Sequence, residues 1–456
     1  MNVASDSARG VPALLLAGAL LAVAACTGSL PVDQQPIGIV DAPGAALPSL
    51  SFEAPTVLQE GRLVLEMRGS IASYDLVFAT IDGVESAPLA AVFSVRDATG
   101  RSLVASREVR DTLHLRPGER GRDHVLALSE RFELAPGDYV AEVAVIGPAD
   151  RPRDTRRLRV TLPMPRDAGM SAIRLDRDEA PLVGARFPRW RAGDEPVAAV
   201  DIVDHAQGEE RVDWAILRIP ADTAAALPPF WISPGRGSIA YRGARFDSPR
   251  ADTAYTWSGS RQVFPLPSLQ EGVYEIVART PAGEGSTARP LVMLPPAWPR
   301  VTEIDEMIEA LAYLAYPSEL EQMRAGWSAS ERRRLFDAFW GALIVDRRAA
   351  EQTIRLYYER VEEANRRFTS HRPGWMTDAG MIYVVFGAPE VVERGPDAEV
   401  WHYAFGREDP SQTFVFERVA YDGAPWPLEH LVLQRAPRYE LGWQREVRRW
   451  RSGLMR

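Results

Sequence analysis

Pro373-Gly374-Trp375-Met376-Thr377-Asp378-Ala379-Gly380 runs into Met381-Ile382-Tyr383-Val384-Val385-Phe386 and then Gly387-Ala388-Pro389-Glu390. This is the densest cluster of punctuating residues in the chain. The six-residue run is β-branched and aromatic with glycine on both sides, which predicts a buried strand over 381–386. Asp378 stands two residues before Gly380, a spacing that suits an Asx-type turn launching that strand. Gly387 can take positive φ and Pro389 cannot continue a ladder, so the strand is expected to stop there. Trp375 is expected to plug the sheet just ahead of the turn. Two more strands are expected at 399–405 and 413–417, giving a small sheet of three or more strands.

Upstream of the motif the chemistry is helical. Pro295-Pro296-Ala297-Trp298-Pro299 is a stiff break. Thr302 is a candidate N-cap for a helix whose apolar face carries Ile304, Met307, Ile308, Leu311 and Leu314. Ser328-Ala329-Ser330-Glu331 matches a capping box, with Leu335, Phe336, Phe339, Trp340 and Leu343 as the next apolar face. A third helix is expected over 350–368. Downstream, Trp443, Val447, Trp450 and Leu454 recur at helical spacing opposite Arg445, Arg448, Arg449 and Arg451. That basic face reads as solvated, or as a contact for anionic lipid. Helices packed on a small sheet make an α+β domain over 300–456.

Gly374, Trp375, Thr377 and Asp378 spell a motif that resembles the GWxTD domain of bacterial envelope proteins. The Gly387–Pro389 turn, the strand Val400-Trp401-His402-Tyr403 and the helix bearing Tyr357, Tyr358, Asn365 and Phe368 fit the same resemblance. It covers about the last third, from near Thr302. Ala379 and Met381 stand where basic residues are common in relatives. The resemblance names a domain without naming a reaction.

The preceding sequence is all-β. Over 51–165, apolar alternation recurs at roughly ten-residue intervals with Gly, Pro and Asp between, which suits a β-sandwich. Strands are expected at 63–67, 74–80, 90–95, 102–109, 125–134, 139–145 and 157–162. Pro136-Gly137-Asp138-Tyr139 has the turn and tyrosine of an immunoglobulin-like sandwich. Glu271-Gly272-Val273-Tyr274 repeats it one domain length later, so a second sandwich is expected over 171–296. Its strands are expected at 197–203, 211–219, 255–258 and 291–294. The expected fold is multidomain: two all-β immunoglobulin-like sandwiches followed by an α+β C-terminal domain.

The N-terminus reads as a lipoprotein signal peptide over 1–25. Residues 13–25 are almost entirely Ala, Leu, Val and Gly, and Val23-Ala24-Ala25-Cys26 has the form of a lipobox. Cys26 is the only cysteine, so no disulfide can form within one chain. Lipidation there predicts a membrane-anchored protein of the bacterial envelope, at the outer membrane facing the periplasm. The Pro-, Gly- and Ala-rich stretch 26–50 reads as a flexible tether. A length of 456 residues and 25% charged residues suit several globular domains. A formal charge of −9 argues against a general nucleic-acid binder.

Motifs for chemistry are sparse. None of the six histidines stands at a zinc spacing, and there is no Walker loop, dinucleotide fingerprint or nucleophile elbow. No metal or cofactor is implied. Asp201 and Asp204-His205 read as the end of a strand and its turn. Asp378, Glu390 and His402, with His371 nearby, are the candidate acid–base set, because a carboxylate beside a histidine can transfer protons. Trp375, Trp401 and Trp426 are the candidate binding aromatics, since aromatic side chains supply stiff contact area. The expected function is a membrane-anchored scaffold or binding module for a protein or peptide partner. An envelope-polymer hydrolase or a carbohydrate-binding protein centred on the C-terminal domain is the alternative.

Overall fold

A computed structural model describes residues 38–41, 50–60, 62–73, 76–81, 83–116, 125–146, 152–162, 170–176, 190–202, 212–219, 224–232, 253–255, 261–280, 286–395, 397–403, 410–419 and 430–455. The leader 1–25, Cys26, Asp204, His205 and Trp426 lie outside these residues.

The chain first contributes β1 (Gly38–Asp41), which belongs to the C-terminal sheet. A first β module then follows. It comprises β2 (Ser51–Glu53), β3 (Thr56–Gln59), β4 (Arg62–Ala72), β5 (Ala79–Ile81), β6 (Val84–Asp97), β7 (Leu103–Leu115), β8 (Val125–Phe132), β9 (Gly137–Ile146) and β10 (Pro152–Leu162). β2, β3 and β8 gather around β4 in one sheet; β5, β7, β9 and β10 gather around β6 in the other. Side chains two apart share a face. Leu65 and Met67 from β4 therefore meet Phe93 and Val95 from β6 and Ala141, Val143 and Val145 from β9 in one core. The strand expected at 74–80 is the short β5 at its far end.

A second β module has its own core. It comprises β11 (Arg174–Asp176), β12 (Trp190–Arg191), β13 (Val197–Asp201), β14 (Val212–Ile219), β15 (Thr253–Tyr255), β16 (Arg261–Pro265), β17 (Gly272–Arg279) and β18 (Ser286–Leu294). One sheet runs β11-β13-β16 and the other β12-β18-β17-β14-β15. Trp214 of the second sheet stacks on Phe264 of the first with centroids 5.2 Å apart. The repeated tyrosine does the same work in both modules. Tyr139 donates its hydroxyl to the Ala135 carbonyl at 2.8 Å, and Tyr274 donates to the Gln270 carbonyl at 3.0 Å. Each pins the turn before its strand to the strand itself.

The C-terminal region mixes helix and strand. Its elements are α1 (Ile304–Ala310), α2 (Pro317–Arg324), α3 (Ala329–Leu343), α4 (Arg347–Phe368), α5 (Asp378–Phe386), β19 (Val391–Arg394), β20 (Ala398–His402), β21 (Thr413–Val419), β22 (His430–Leu433) and α6 (Glu440–Arg451). The sheet runs β1-β19-β20-β21-β22, antiparallel throughout. Four residues of the stretch read as a tether thus form its edge strand. Ser328 caps α3, accepting from the Glu331 N–H at 3.2 Å, while the Glu331 carboxylate accepts from Trp327 N–H. Glu303 rather than Thr302 stands at the α1 N-cap. Tyr357 and Tyr358 tie α4 to α1 by donating to the Ala310 and Met307 carbonyls at 2.6 and 2.7 Å.

The stretch expected as a strand at 381–386 is helical. Thr377 caps α5, its hydroxyl accepting from Gly380 N–H at 3.0 Å, and Gly387 at φ 88° ends it. Ala379, Met381, Ile382, Val384 and Val385 are all buried. A helix buried on nearly every side shows no polar stripe, so its short apolar run is indistinguishable from a buried strand by periodicity.

A buried ion cluster spans the first module and the C-terminal sheet, with Arg156 4.0 Å from Glu399 and Arg418 3.9 Å from Asp154. Asp154 and Arg156 come from β10, Arg394 from β19, Glu399 from β20 and Arg418 from β21. Arg156 pairs with Asp154, Arg418 pairs with Glu399, and Arg394 Nε lies 3.6 Å from the same Glu399 carboxylate. Burial raises the Glu399 pKa, but Arg418, Arg394 and Arg156 outweigh it and hold the carboxyl at about 2.

Candidate functional site

The motif residues form a knot at the junction of α4 and α5. Gly374 passes so close to α4 that a Cβ would lie 2.0 Å from the Ala364 carbonyl oxygen. Gly380 is equally tight, with an added Cβ 1.8 Å from the Gly374 oxygen. Both glycines are dictated by close backbone approach. Asn365 of α4 accepts from Trp375 N–H at 3.2 Å, and Thr369 accepts from Gly374 N–H at 3.0 Å. Thr377 donates to the Gly374 carbonyl at 2.7 Å while capping α5. Trp375 is 1% exposed, its indole N–H reaching Glu306 at 3.4 Å. Burial raises the Glu306 pKa against that hydrogen bond.

Asp378 is the buried member of the knot that reaches β22. Its Oδ2 accepts from the Leu433 N–H of β22 at 3.0 Å, and its Oδ1 pairs with the Arg435 guanidinium. Burial raises its pKa, opposed by Arg435, the Leu433 N–H and Arg372. Arg435 in turn holds main chain. Its Nη1 donates to the Leu227 carbonyl and to the Pro228 carbonyl at 2.8 Å. Ala436 N–H donates to the Pro229 carbonyl at 3.1 Å, and Arg372 Nη1 donates to the Ala224 carbonyl at 3.1 Å. The Ala226 N–H donates to the Tyr313 hydroxyl, which itself donates to the Trp375 carbonyl at 2.7 Å. Residues 224–232 lie between β14 and β15 of the second β module. Ala225, Ala226 and Phe230 pack on the core of the C-terminal region.

This arrangement corrects several expectations. Trp375 and Trp401 offer no surface to a partner: Trp401 is 0% exposed, against Phe368 and Phe416. They fill the core because they are the largest apolar side chains facing it. Asp378, Glu390 and His402 do not form one site. His402 on β20 faces Glu393 at 3.3 Å and Thr413 at 3.4 Å. Asp378 contacts β22, two strands away, or roughly 10 Å at the usual strand spacing. Glu390 meets His402 only through a backbone hydrogen bond at 2.8 Å. Asp201 pairs with Arg174 at 2.9 Å. His371 instead sits against His430, ring centroids 4.9 Å apart, with Ser370 Oγ 3.3 and 3.4 Å from their Nδ1 atoms. Burial, then His371 and Arg372, lowers the His430 pKa to about 3. No group of three or more metal-ligating side chains occurs among the described residues.

The basic face of α6 stays exposed at Arg445, Arg448 and Arg449, and Arg451 alone of the four is half-buried. Arg451 makes two 2.8 Å contacts to Glu319 and lies over the Tyr316 ring at 4.2 Å. Arg445 and Arg449 bracket Glu446 at 3.2 and 2.9 Å. The residues that hold the 224–232 segment, Arg372, Arg435 and Tyr313, were not foreseen. The available signals were an arginine directly before the motif and Leu227-Pro228-Pro229-Phe230 in an otherwise unassigned connection.

By fold the chain is a mostly β N-terminal region of several antiparallel sheets, joined to a C-terminal region of helices and sheet whose motif end holds the main chain of residues 224–232. Residues 272–452 match the family model of the GWxTD domain. The match begins within β17, earlier than the boundary expected near Thr302. Among solved structures, the chain is similar to a biofilm-associated protein BSP domain, at 7% identity and a TM-score of 0.18 over 56% of this chain and 53% of that one. It is also similar to the mouse nectin-like molecule 4 ectodomain, at 14% identity and a TM-score of 0.13 over 56% of this chain and 66% of that one. The chain therefore spans less than two thirds of either. No curated protein matches it.

Proposed function

We propose that this protein is an envelope lipoprotein whose GWxTD domain binds a protein or peptide partner. In this reading Cys26 carries the lipid, placing the chain at the outer membrane facing the periplasm. The two β modules are immunoglobulin-like sandwiches that act as spacers or docking surfaces. The observation that carries the reading is main-chain capture at the motif: Asp378 orients Arg435, and Arg435 donates to the successive carbonyls of Leu227 and Pro228. Such contacts suit polypeptide ligands, because every polypeptide offers carbonyls at this spacing. Native membranes carrying the lipidated chain are crosslinked and the chain recovered, with Cys26→Ala as control. Specific enrichment of one envelope protein by the wild type supports the reading. Recovery of no partner by folded, membrane-bound protein counts against it.

A further inference from the structure

Residues 224–232 occupy their seat as a ligand does. Of the contacts that hold them, five are to main-chain groups: the carbonyls of Ala224, Leu227, Pro228 and Pro229, and the N–H of Ala226. Main-chain recognition tolerates other side chains. Pro228 and Pro229 remove two N–H donors and fix φ, and the Trp231 N–H closes a turn on the Pro228 carbonyl at 3.0 Å. They also lower the entropy lost on docking. Pro229 is buried and Phe230 packs on the domain core. The next two residues, Trp231 and Ile232, are 56% and 62% exposed.

We propose that the Arg372–Tyr313–Arg435 seat is a receptor for proline-containing apolar peptides that turn as residues 228–231 do, and that residues 224–232 are a built-in competitor held there in cis. This rests on the binding-module reading and names the chemistry of the partner. Arg435 is the link to the motif: its guanidinium is shared between the Asp378 carboxylate and the captured carbonyls. A partner peptide takes the place of the cis segment, carbonyl for carbonyl. The cis segment competes as a tethered ligand, whose effective concentration is set by the reach of its connections. A free peptide therefore binds the intact chain weakly and a chain with a loosened segment tightly.

The test uses the full chain carrying Cys26→Ala and a labelled, end-blocked peptide with the sequence of residues 224–232, followed by fluorescence anisotropy. Pro229→Gly with Phe230→Ala loosens the segment; hydrogen exchange over 224–232 reports its release and thermal melting reports folding. The loosened chain is expected to bind the peptide about tenfold more tightly or better than the parent. Adding Arg435→Lys, which keeps the charge but not the two-pronged donation, is expected to abolish that gain. A peptide with both prolines replaced by glycine is expected to bind more weakly. Equal affinity for parent and loosened chains, with release confirmed by exchange, overturns the inference. If crosslinking in membranes still recovers a partner, the binding-module reading stands without it; if neither experiment detects binding, both fall.

Discussion

The carboxylate of Asp378 and the guanidinium of Arg435 form a buried ion pair, and only Arg435 goes on to touch the 224–232 segment. The motif aspartate thus acts through an arginine 57 positions later. It has two tasks: fixing β22 through the Leu433 N–H, and aiming a donor fork at main chain. Asp378→Ala is expected to lower stability by about 3–5 kcal/mol, the usual result of leaving one partner of a buried pair uncompensated. Urea unfolding measures the loss. Hydrogen exchange over 224–232 is expected to rise in the variant under conditions where the domain remains folded.

The motif glycines should tolerate nothing larger. Gly374→Ala and Gly380→Ala each drive a Cβ into a carbonyl oxygen at 2.0 Å or less. Each is expected to cost more than about 4 kcal/mol or to prevent folding, as overpacking against backbone does. Gly341 in α3 is the internal control, because an added Cβ there meets nothing within 4 Å. Gly341→Ala is expected to raise stability by about 0.5–1 kcal/mol. Thermal melts of the three variants distinguish these outcomes.

His430 makes stability depend on pH. Its ordinary value is 6.5, and the folded protein holds it at about 3. Between these values the unfolded chain binds a proton that the folded chain does not. Stability from this group is therefore complete above about 6.5 and is lost as pH falls toward about 3. Urea midpoints measured from pH 7 to pH 4 are expected to fall, and to fall less steeply in His430→Gln.

The ion cluster at β10 and the C-terminal sheet should respond to one substitution. Glu399→Ala leaves Arg394, Arg418 and Arg156 without their shared carboxylate. A loss of about 3–5 kcal/mol is expected from uncompensated buried charge. Because Glu399 titrates at about 2 in the folded state against a usual 4.5, its contribution is present above 4.5 and lost as pH falls toward 2. Differential calorimetry is expected to show the first β module and the C-terminal region separating into two transitions in the variant.

The paired tyrosines offer an additivity test. Tyr139→Phe and Tyr274→Phe each remove one hydroxyl-to-carbonyl bond, expected to cost about 1 kcal/mol. The two sites lie in modules with separate cores. The double variant is expected to lose the sum of the single losses, within about 0.5 kcal/mol. A large departure from the sum in equilibrium unfolding would show that the modules are coupled.

What the sequence by itself determined was local and periodic. Alternation with turn residues between marked most strands of both β modules, and the Gly-x-Tyr repeat marked their common turn, because a strand's two faces are written at period two. Ser328 and Glu331 announced α3 because a cap needs only neighbours three residues apart. Gly374, Trp375, Thr377 and Asp378 announced the domain because the motif is contiguous in the sequence. Tertiary structure decided the rest. Whether 381–386 is helix or strand depended on what surrounded it: burial on nearly all sides erases the polar face that periodicity reads. The burial of Trp375 and Trp401 and the separation of Asp378 from His402 depended on which strands became neighbours. The seat for residues 224–232 joins arginines at 372 and 435 to a segment of another module, up to 208 residues away in the chain. Main-chain carbonyls carry no residue-specific signature, so no spacing in the sequence could have brought those partners together.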